Sequence, residues 1–334
     1  MNKGDVIHGY RILDDFRVVG GMSKVTFAEK GGKEYFIKEF LSPKYPTTDS
    51  PGSEKIKAQK RKACENFEAH HRRINSLIGT KVSFGGNLVY AVDFFREGTS
   101  YYKVNEKIDI SSLSLKKISA LDEKTIATIA CSVCHSVSIL HDLNIVHGDL
   151  KPDNILIKES KTPIGKLIDF DDSYFSANPP KDKDCVVGTP EYYSPELAAY
   201  ITDEDDEIGG ETLTLASDIF ALGIIFCEYF TGKKPINDEG VPTWLAIEKG
   251  NPIRFAKSLN PGIDKLLRLM LMRNPTDRPS VRKVQQTLRE IKTGKMVSDS
   301  ELRGNGLKIA TPAHKVESTT SKIGLRGKVL GKIS

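Results

Sequence analysis

No stretch of this chain reaches the about eighteen consecutive apolar residues that a membrane-crossing helix requires, so no such span is expected. The N-terminal Met1-Asn2-Lys3-Gly4-Asp5 is polar and lacks the apolar segment of a signal peptide. Cysteine is sparse. The five that occur, Cys64, Cys131, Cys134, Cys185 and Cys227, are odd in number and scattered, which argues for reduced thiols in a reducing compartment. Cys131 and Cys134 form a Cys-x-x-Cys pair inside a helical pattern without flanking turn residues, so core thiols are expected rather than redox or zinc chemistry. The formal charge is only +5, and no stripe of Lys and Arg alternates with aromatics, so nucleic acid is not an expected partner. With 39% hydrophobic and 28% charged residues, the 334-residue chain has the composition of a soluble, cytoplasmic protein, long enough for one large domain or two.

What is present centres on His147-Gly148-Asp149-Leu150-Lys151-Pro152-Asp153-Asn154-Ile155-Leu156-Ile157, followed by Asp169-Phe170-Asp171. Phosphoryl transfer needs an acid that accepts the proton of the attacking hydroxyl, oxygen ligands for Mg²⁺ on the triphosphate, and a cation near the moving group. Asp149, Asn154, Asp169 and Lys151 are residues of those types. Ile155-Leu156-Ile157 and Lys166-Leu167-Ile168 have the pattern of two short buried strands. A hairpin of these strands would set Asn154 and Asp169 side by side, where two oxygen ligands could share a metal. Either fragment alone arises by chance; the whole ordered run does not.

The stretch resembles the catalytic loop and metal-binding segment of the eukaryotic-type serine/threonine protein kinase family, in its bacterial-like branch: His-Arg-Asp-Leu-Lys-x-x-Asn followed by Asp-Phe-Gly. Further blocks carry the resemblance from about Tyr10 to Ile291. Gly188-Thr189-Pro190-Glu191-Tyr192-Tyr193-Ser194-Pro195-Glu196 resembles the activation-segment anchor, and Asn274-Pro275-Thr276-Asp277-Arg278-Pro279 the closing signature. The resemblance implies a bilobal α+β fold, with a small antiparallel-sheet lobe at about 8–107 and a mainly helical lobe at about 108–294. It also implies ATP with Mg²⁺, Asp149 as base, Lys151 as charge stabiliser, and Asn154 and Asp169 as metal ligands. Arg278 would pair with Glu196 in a buried ion pair. Ser217-Asp218-Ile219 opens a helix that is apolar nearly all round and must be buried. Asp218 would accept hydrogen bonds from catalytic-loop backbone. A helix starting at Ser119, with Asp122 completing a capping box, is expected to run to His141 on a stripe of Ile126, Ile129, Val133, Val137 and Leu140.

In the smaller lobe, Gly20 and Gly21 lie at a turn between β-type runs, flanked by Val18 and Val25, and resemble the Gly-rich loop over the phosphates. Lys38 lies between Phe36 and Phe40 on one face of an alternating strand and is the expected phosphate anchor. On the basic amphipathic helix from Glu54 to Ile78, Glu68 is its expected partner, although the family's spacing lands on His70. Val104-Asn105-Glu106-Lys107 resembles the hinge that would bind adenine through backbone groups.

Two departures bear on function. Gly148 replaces the arginine that would pair with a phosphate, so activity is expected without phosphorylation at Ser173, Ser176 or Thr189. Asp171 replaces glycine and adds a carboxylate close to the metal, pointing to Mn²⁺ as an alternative ion or to a stiffer segment. Lys151 and Thr189 match serine/threonine protein kinases, with protein Ser/Thr hydroxyls as acceptors. His-Gly-Asp-Leu and Ile-Asp-Phe-Asp also resemble aminoglycoside- and choline-type small-molecule kinases, which lack the activation-segment block. A pseudokinase scaffold is a third reading, favoured by the irregular Gly-rich loop and opposed by the intact Lys38, Asp149, Asn154 and Asp169. The acidic stretch Thr202–Glu211 would favour basic substrates. The tail 295–334 is basic, poor in apolar residues and expected to be disordered. It would bind a partner or be autophosphorylated at Thr311, Ser318, Thr319 or Thr320.

Overall fold

Short β-branched and aromatic runs separated by glycine turns fold the first part of the chain into strands β1 (Val6–Ile7), β2 (Tyr10–Ile12), β3 (Arg17–Val19), β4 (Ser23–Lys30), β5 (Lys33–Phe40), β6 (Ala91–Glu97) and β7 (Ser100–Glu106). The computed structural model describes residues 1–19, 23–82, 87–108, 112–159, 163–179, 183, 186, 188–205 and 207–294, all within one unit, Met1–Gly304. Gly20, Gly21, Cys185 and the tail 295–334 lie outside the described residues, as do Thr311, Ser318, Thr319 and Thr320. The strands form one antiparallel sheet in the order β1-β2-β4-β5-β7-β6, with β3 paired to β4.

Register decides which side chains face the cleft, because successive residues of a strand point to opposite faces. Val25 pairs with Lys38, Lys38 with Lys103, and Ile37 with Val104. Ile12, Ala28, Ile37, Tyr102 and Val104 therefore build one apolar core. Lys38, Phe40, Phe94, Tyr101 and Lys103 occupy the other face, which is closed by helix α1 (Glu54–Val82) through Cys64 and Phe67. The buried α1 residues Cys64, His71, Ile74 and Ile78 follow helical spacing.

The second lobe is helical: α2 (Leu115–Ser119), α3 (Glu123–Asp142), α4 (Pro195–Thr202), α5 (Ala216–Thr231), α6 (Thr243–Glu248), α7 (Pro261–Met270) and α8 (Val281–Lys292). Two-stranded pairs β8 (Ile145–Val146) with β11 (Tyr174–Phe175), and β9 (Ile155–Lys158) with β10 (Ile164–Leu167), lie between α3 and α4. The expected start of the long helix needs correction. Ser119 ends α2, and Asp122 caps α3 by accepting from Thr125 N at 3.0 Å and Thr125 Oγ1 at 2.6 Å. A carboxylate at that position satisfies a free N–H and also suits the positive end of the helix dipole. The stripe Ile126, Ile129, Val133, Val137 and Leu140 is fully buried, and every residue of α5 from Ser217 to Phe230 is buried too. Cys64, Cys131, Cys134 and Cys227 are free, and Cys134 lies in the main core. Among the described residues, no helix is long and apolar enough to cross a membrane.

Arg278 lies on the inner side of α4. It meets Glu196 through two bonds, Nη1 to Oε1 at 2.7 Å and Nη2 to Oε2 at 2.8 Å, and also donates to the carbonyls of Met272, Arg273 and Ala216. Ser217 Oγ adds a bond to Glu196 Oε1 at 2.8 Å. With the Arg278 side chain 0% exposed, removing one partner strands a buried charge. Arg278→Ala is expected to destabilise the fold by about 3–5 kcal/mol, and the double variant Arg278→Met/Glu196→Met by clearly less. Urea unfolding of the three proteins checks this; equal losses for single and double variants would contradict it.

Candidate active site

Strand β8 delivers the chain to His147, and the loop that follows is held by backbone bonds to a buried acid. Asp218 Oδ2 accepts from His147 N at 2.8 Å, Asp218 Oδ1 from Gly148 N at 3.3 Å, and His141 Nε2 lies 3.0 Å from Oδ2. Burial pushes the His147 imidazole below its ordinary range. Its Nε2 is 3.2 Å from Ile168 O, and Asp149 N reaches its Nδ1 at 3.4 Å; a proton on Nε2 satisfies both contacts. His147 thus ties the catalytic loop to the segment that carries Asp169. Gly148 has φ of 85°, and a Cβ there would lie 2.2 Å from Asp172 O. The backbone at this point therefore excludes the family's arginine on steric grounds, not only by sequence.

The 3-10 turn Pro152–Asn154 brings Asn154 back under Asp149, so that its Nδ2 donates to Asp149 O at 2.8 Å and Oδ2 at 3.1 Å. Lys151 Nζ lies 2.6 Å from Asp149 Oδ2 and 2.9 Å from Thr189 Oγ1. Thr189 Oγ1 in turn donates to Asp149 Oδ1 at 2.8 Å. An aliphatic hydroxyl from the chain's own activation segment thus sits on the carboxylate of Asp149 and beside a lysine. Ser173 is buried with its Oγ on His147 O, so neither Ser173 nor Thr189 offers a free acceptor oxygen here.

Hairpin β9–β10 places Asn154 and Asp169 at the same end, with Ile168 N donating to Asn154 O at 3.1 Å. Asp169 has φ of 60°, a strained left-handed conformation that turns its carboxylate into the cleft. Lys38 Nζ is 3.2 Å from Asp169 Oδ2 and 2.5 Å from Asp171 Oδ2. The Asp171 contact is an ion pair rather than a hydrogen bond, since Oδ2 makes no well-aligned bond. Lys103 Nζ donates to Asp171 Oδ1 at 2.5 Å. Burial opposes ionisation of Asp171, but Lys103 and Lys38 outweigh it and hold the carboxyl well below its usual range. Burial and the Asp171 charge push Asp169 up. Half-buried Asp172 is raised to about 7 by desolvation and by the charges of Asp171, Asp149 and Asp169.

Several expected residues stand elsewhere. Glu68 does not reach Lys38; it pairs with Arg72 one turn along α1 at 2.9 Å, the natural partner at that spacing. His70 Nε2 contacts Ser173 O at 2.8 Å, and His71 is the α1 residue that packs against Phe40 and Phe94 beside the lysines, lowered to about 3 chiefly by burial. Val104 lies inside β7, where it pairs with Ile37 of β5 and Asp93 of β6, and its side chain belongs to the core. Glu106 pairs only with Tyr35 of β5, leaving its other edge open. Val25 lies opposite Lys38, whereas Val18 is exposed on β3. Lys103 was not anticipated, although a lysine in the middle of the apolar strand Tyr101 to Val104 gives the same signal that singled out Lys38.

Among the described residues no cluster of three or more His, Cys, Asp or Glu side chains forms a metal cage. Mg²⁺ shared with a nucleotide needs none, because one or two protein oxygens and the phosphates complete its shell. Asn154 and Asp169 fit that role: the Asn154 amide nitrogen is committed to Asp149, which leaves its oxygen available, and Asp169 keeps 39% of its side chain open to the cleft. A divalent cation would also offset the two influences that raise Asp169.

The conformation of Gly148 yields a test. Gly148→Ala is expected to destabilise the protein by about 1–3 kcal/mol through left-handed strain and the clash with Asp172 O. Denaturant midpoints that coincide with the wild type would contradict it.

Comparison with known proteins agrees with this geometry. The family model described as protein kinase domain matches residues 53–288. The chain is 28% identical over 222 residues to serine/threonine-protein kinase Pkn1 of Myxococcus xanthus, covering 65% of this chain and 30% of that protein. It is 36% identical over 167 residues to the ovarian-specific serine/threonine-protein kinase Lok of Drosophila melanogaster (46% and 32%), and 30% identical over 189 residues to PknA of Mycobacterium tuberculosis (54% and 40%). The chain therefore spans well under half the length of these relatives. An antiparallel sheet over a helical lobe, a catalytic loop pinned by Asp218, and a family match over most of the chain lead to one assignment: the chain belongs to the protein kinase domain family.

Proposed function

We propose that this chain is a serine/threonine protein kinase that transfers the γ-phosphoryl group of ATP to Ser or Thr hydroxyls of proteins. The observation that carries the reading is the Thr189 hydroxyl held between Asp149 Oδ1 and Lys151 Nζ, since an acceptor Ser or Thr would present the same group to the same pair. In the reaction the acceptor hydroxyl gives its proton to Asp149 as its oxygen bonds to the γ-phosphorus. The bond to the bridging oxygen breaks on the opposite side, and its electrons leave with ADP. Lys151 stabilises charge on the phosphoryl oxygens, and Lys38 holds the phosphates nearer the leaving group. Mg²⁺, with Mn²⁺ as an alternative, would neutralise phosphate charge from Asn154 and Asp169.

The buried free thiols support action in a reducing compartment such as the cytoplasm. The exposed Glu204, Asp205 and Glu207 near α4 support a preference for basic protein substrates, while Asp203 is engaged by Lys183. We assign residues 1–294 to catalysis and the tail 295–334 to partner binding or autophosphorylation. A small-molecule acceptor is disfavoured because Glu196 and Arg278 brace an activation segment that such enzymes do not need.

The test is transfer of label from γ-labelled ATP, with Mg²⁺ or Mn²⁺, to the chain itself and to a basic Ser/Thr protein. Asp149→Asn is expected to slow transfer by about 10²–10⁴-fold while leaving nucleotide binding in place. A silent wild type that still binds ATP would overturn the reading in favour of a scaffold or a small-molecule kinase.

A further inference from the structure

Lys38 needs a carboxylate to hold it against the phosphates, and α1 does not provide one. On the buried side of α1 the neutral imidazole of His71 is packed among Phe40, Phe67 and Phe94. Glu68 is turned to Arg72. We propose that Asp171 is the residue that positions Lys38 for the nucleotide, and that Lys103 anchors Asp171 to the sheet. This rests on the kinase reading above and deepens it.

Three observations carry the inference. First, Asp171 lies between two lysines at 2.5 Å from each Nζ, and its side chain is 9% exposed against 39% for Asp169. The two acids thus divide the work: Asp169 faces the open cleft where phosphates and metal would lie, and Asp171 faces inward to the lysines. Second, Lys38 and Lys103 are direct cross-strand partners on β5 and β7. Two cations so placed, Lys103 buried and Lys38 half-buried, repel each other unless an anion lies between them, and Asp171 is that anion. Third, Asp169 and Asp171 already match Lys38 and Lys103, and Asp172 lies beside the two acids. A further carboxylate from α1 would leave the cluster with net negative charge in a buried place.

Lys103 sits on a central strand with β5 and β6 on either side, which gives Asp171 a fixed point within the sheet. Lysine placement then depends on the segment after Phe170, and not on a charge carried by α1. The carboxylate expected close to the metal is thus turned to the lysines instead.

The experiment is a mutant cycle on the full chain. Lys38→Met is made in the wild type and in the Asp171→Gly/Lys103→Met background, which removes both buried charges together so that neither is stranded. Glu68→Ala serves as the comparison, and thermal melts establish that each protein is folded. The background variant is expected to lose about a hundred-fold in kcat/KM for ATP, the scale of a misplaced catalytic group. Lys38→Met should cost far more in the wild type than in that background, and Glu68→Ala should be close to neutral. A merely structural Asp171 would leave the Lys38→Met loss equal in both backgrounds, and that result overturns the proposal. A large loss for Glu68→Ala also overturns it. The cycle is read in parallel on the Kd of ATP with Mg²⁺. A wild type without transferase activity would then defeat the kinase reading alone, and one that binds no ATP would defeat both.

Discussion

Two carboxylates separated by one residue cannot both stay ionised in a cleft without cations beside them, and this constraint organises the site. Asp169 and Asp171 flank Phe170, whose ring is buried against His147. Lys38 touches both acids, and Lys103 touches Asp171 from the neighbouring strand. The energies involved are those of charges removed from water, so moving Asp171 would strand Lys103. Cross-strand register between β5 and β7 and the tight turn at Asp169 are therefore parts of one arrangement.

The same logic extends through the helical lobe. Asp218, buried on α5, accepts from the backbone at His147 and Gly148 and fixes the loop that carries Asp149. Arg278 fixes Glu196 at the start of α4, just after the segment that places Thr189 on Asp149. Each device pairs a buried charge with several bonds. Beyond Asp218, α5 is apolar from Ile219 to Phe226.

Much of this was legible in the sequence because the signals were local or periodic. The stripe of α3, the all-round apolar α5 and the hairpin bringing Asn154 beside Asp169 follow from spacing alone. The order of the catalytic-loop residues carries the family resemblance. What was not legible depends on three-dimensional facing. Glu68 and His71 both lie near the inner margin of α1, and only packing against Phe40 and Phe94 decides which one faces the lysines. The end of β7 likewise cannot be located until β6 is seen to stop pairing at Asn105. The role of Asp171 was hidden for the same reason: its partner Lys103 lies far away in the chain and meets it only across the fold.

The most direct test of this account is a crystal structure of the full chain with a non-hydrolysable ATP analogue and Mg²⁺. The account predicts the triphosphate between Lys38 and Asp169, the metal on Asp169 and the Asn154 amide oxygen, and Asp171 still held by Lys38 and Lys103. A nucleotide bound outside this cleft, or Asp171 turned onto the metal with Lys38 paired to a carboxylate of α1, would contradict it.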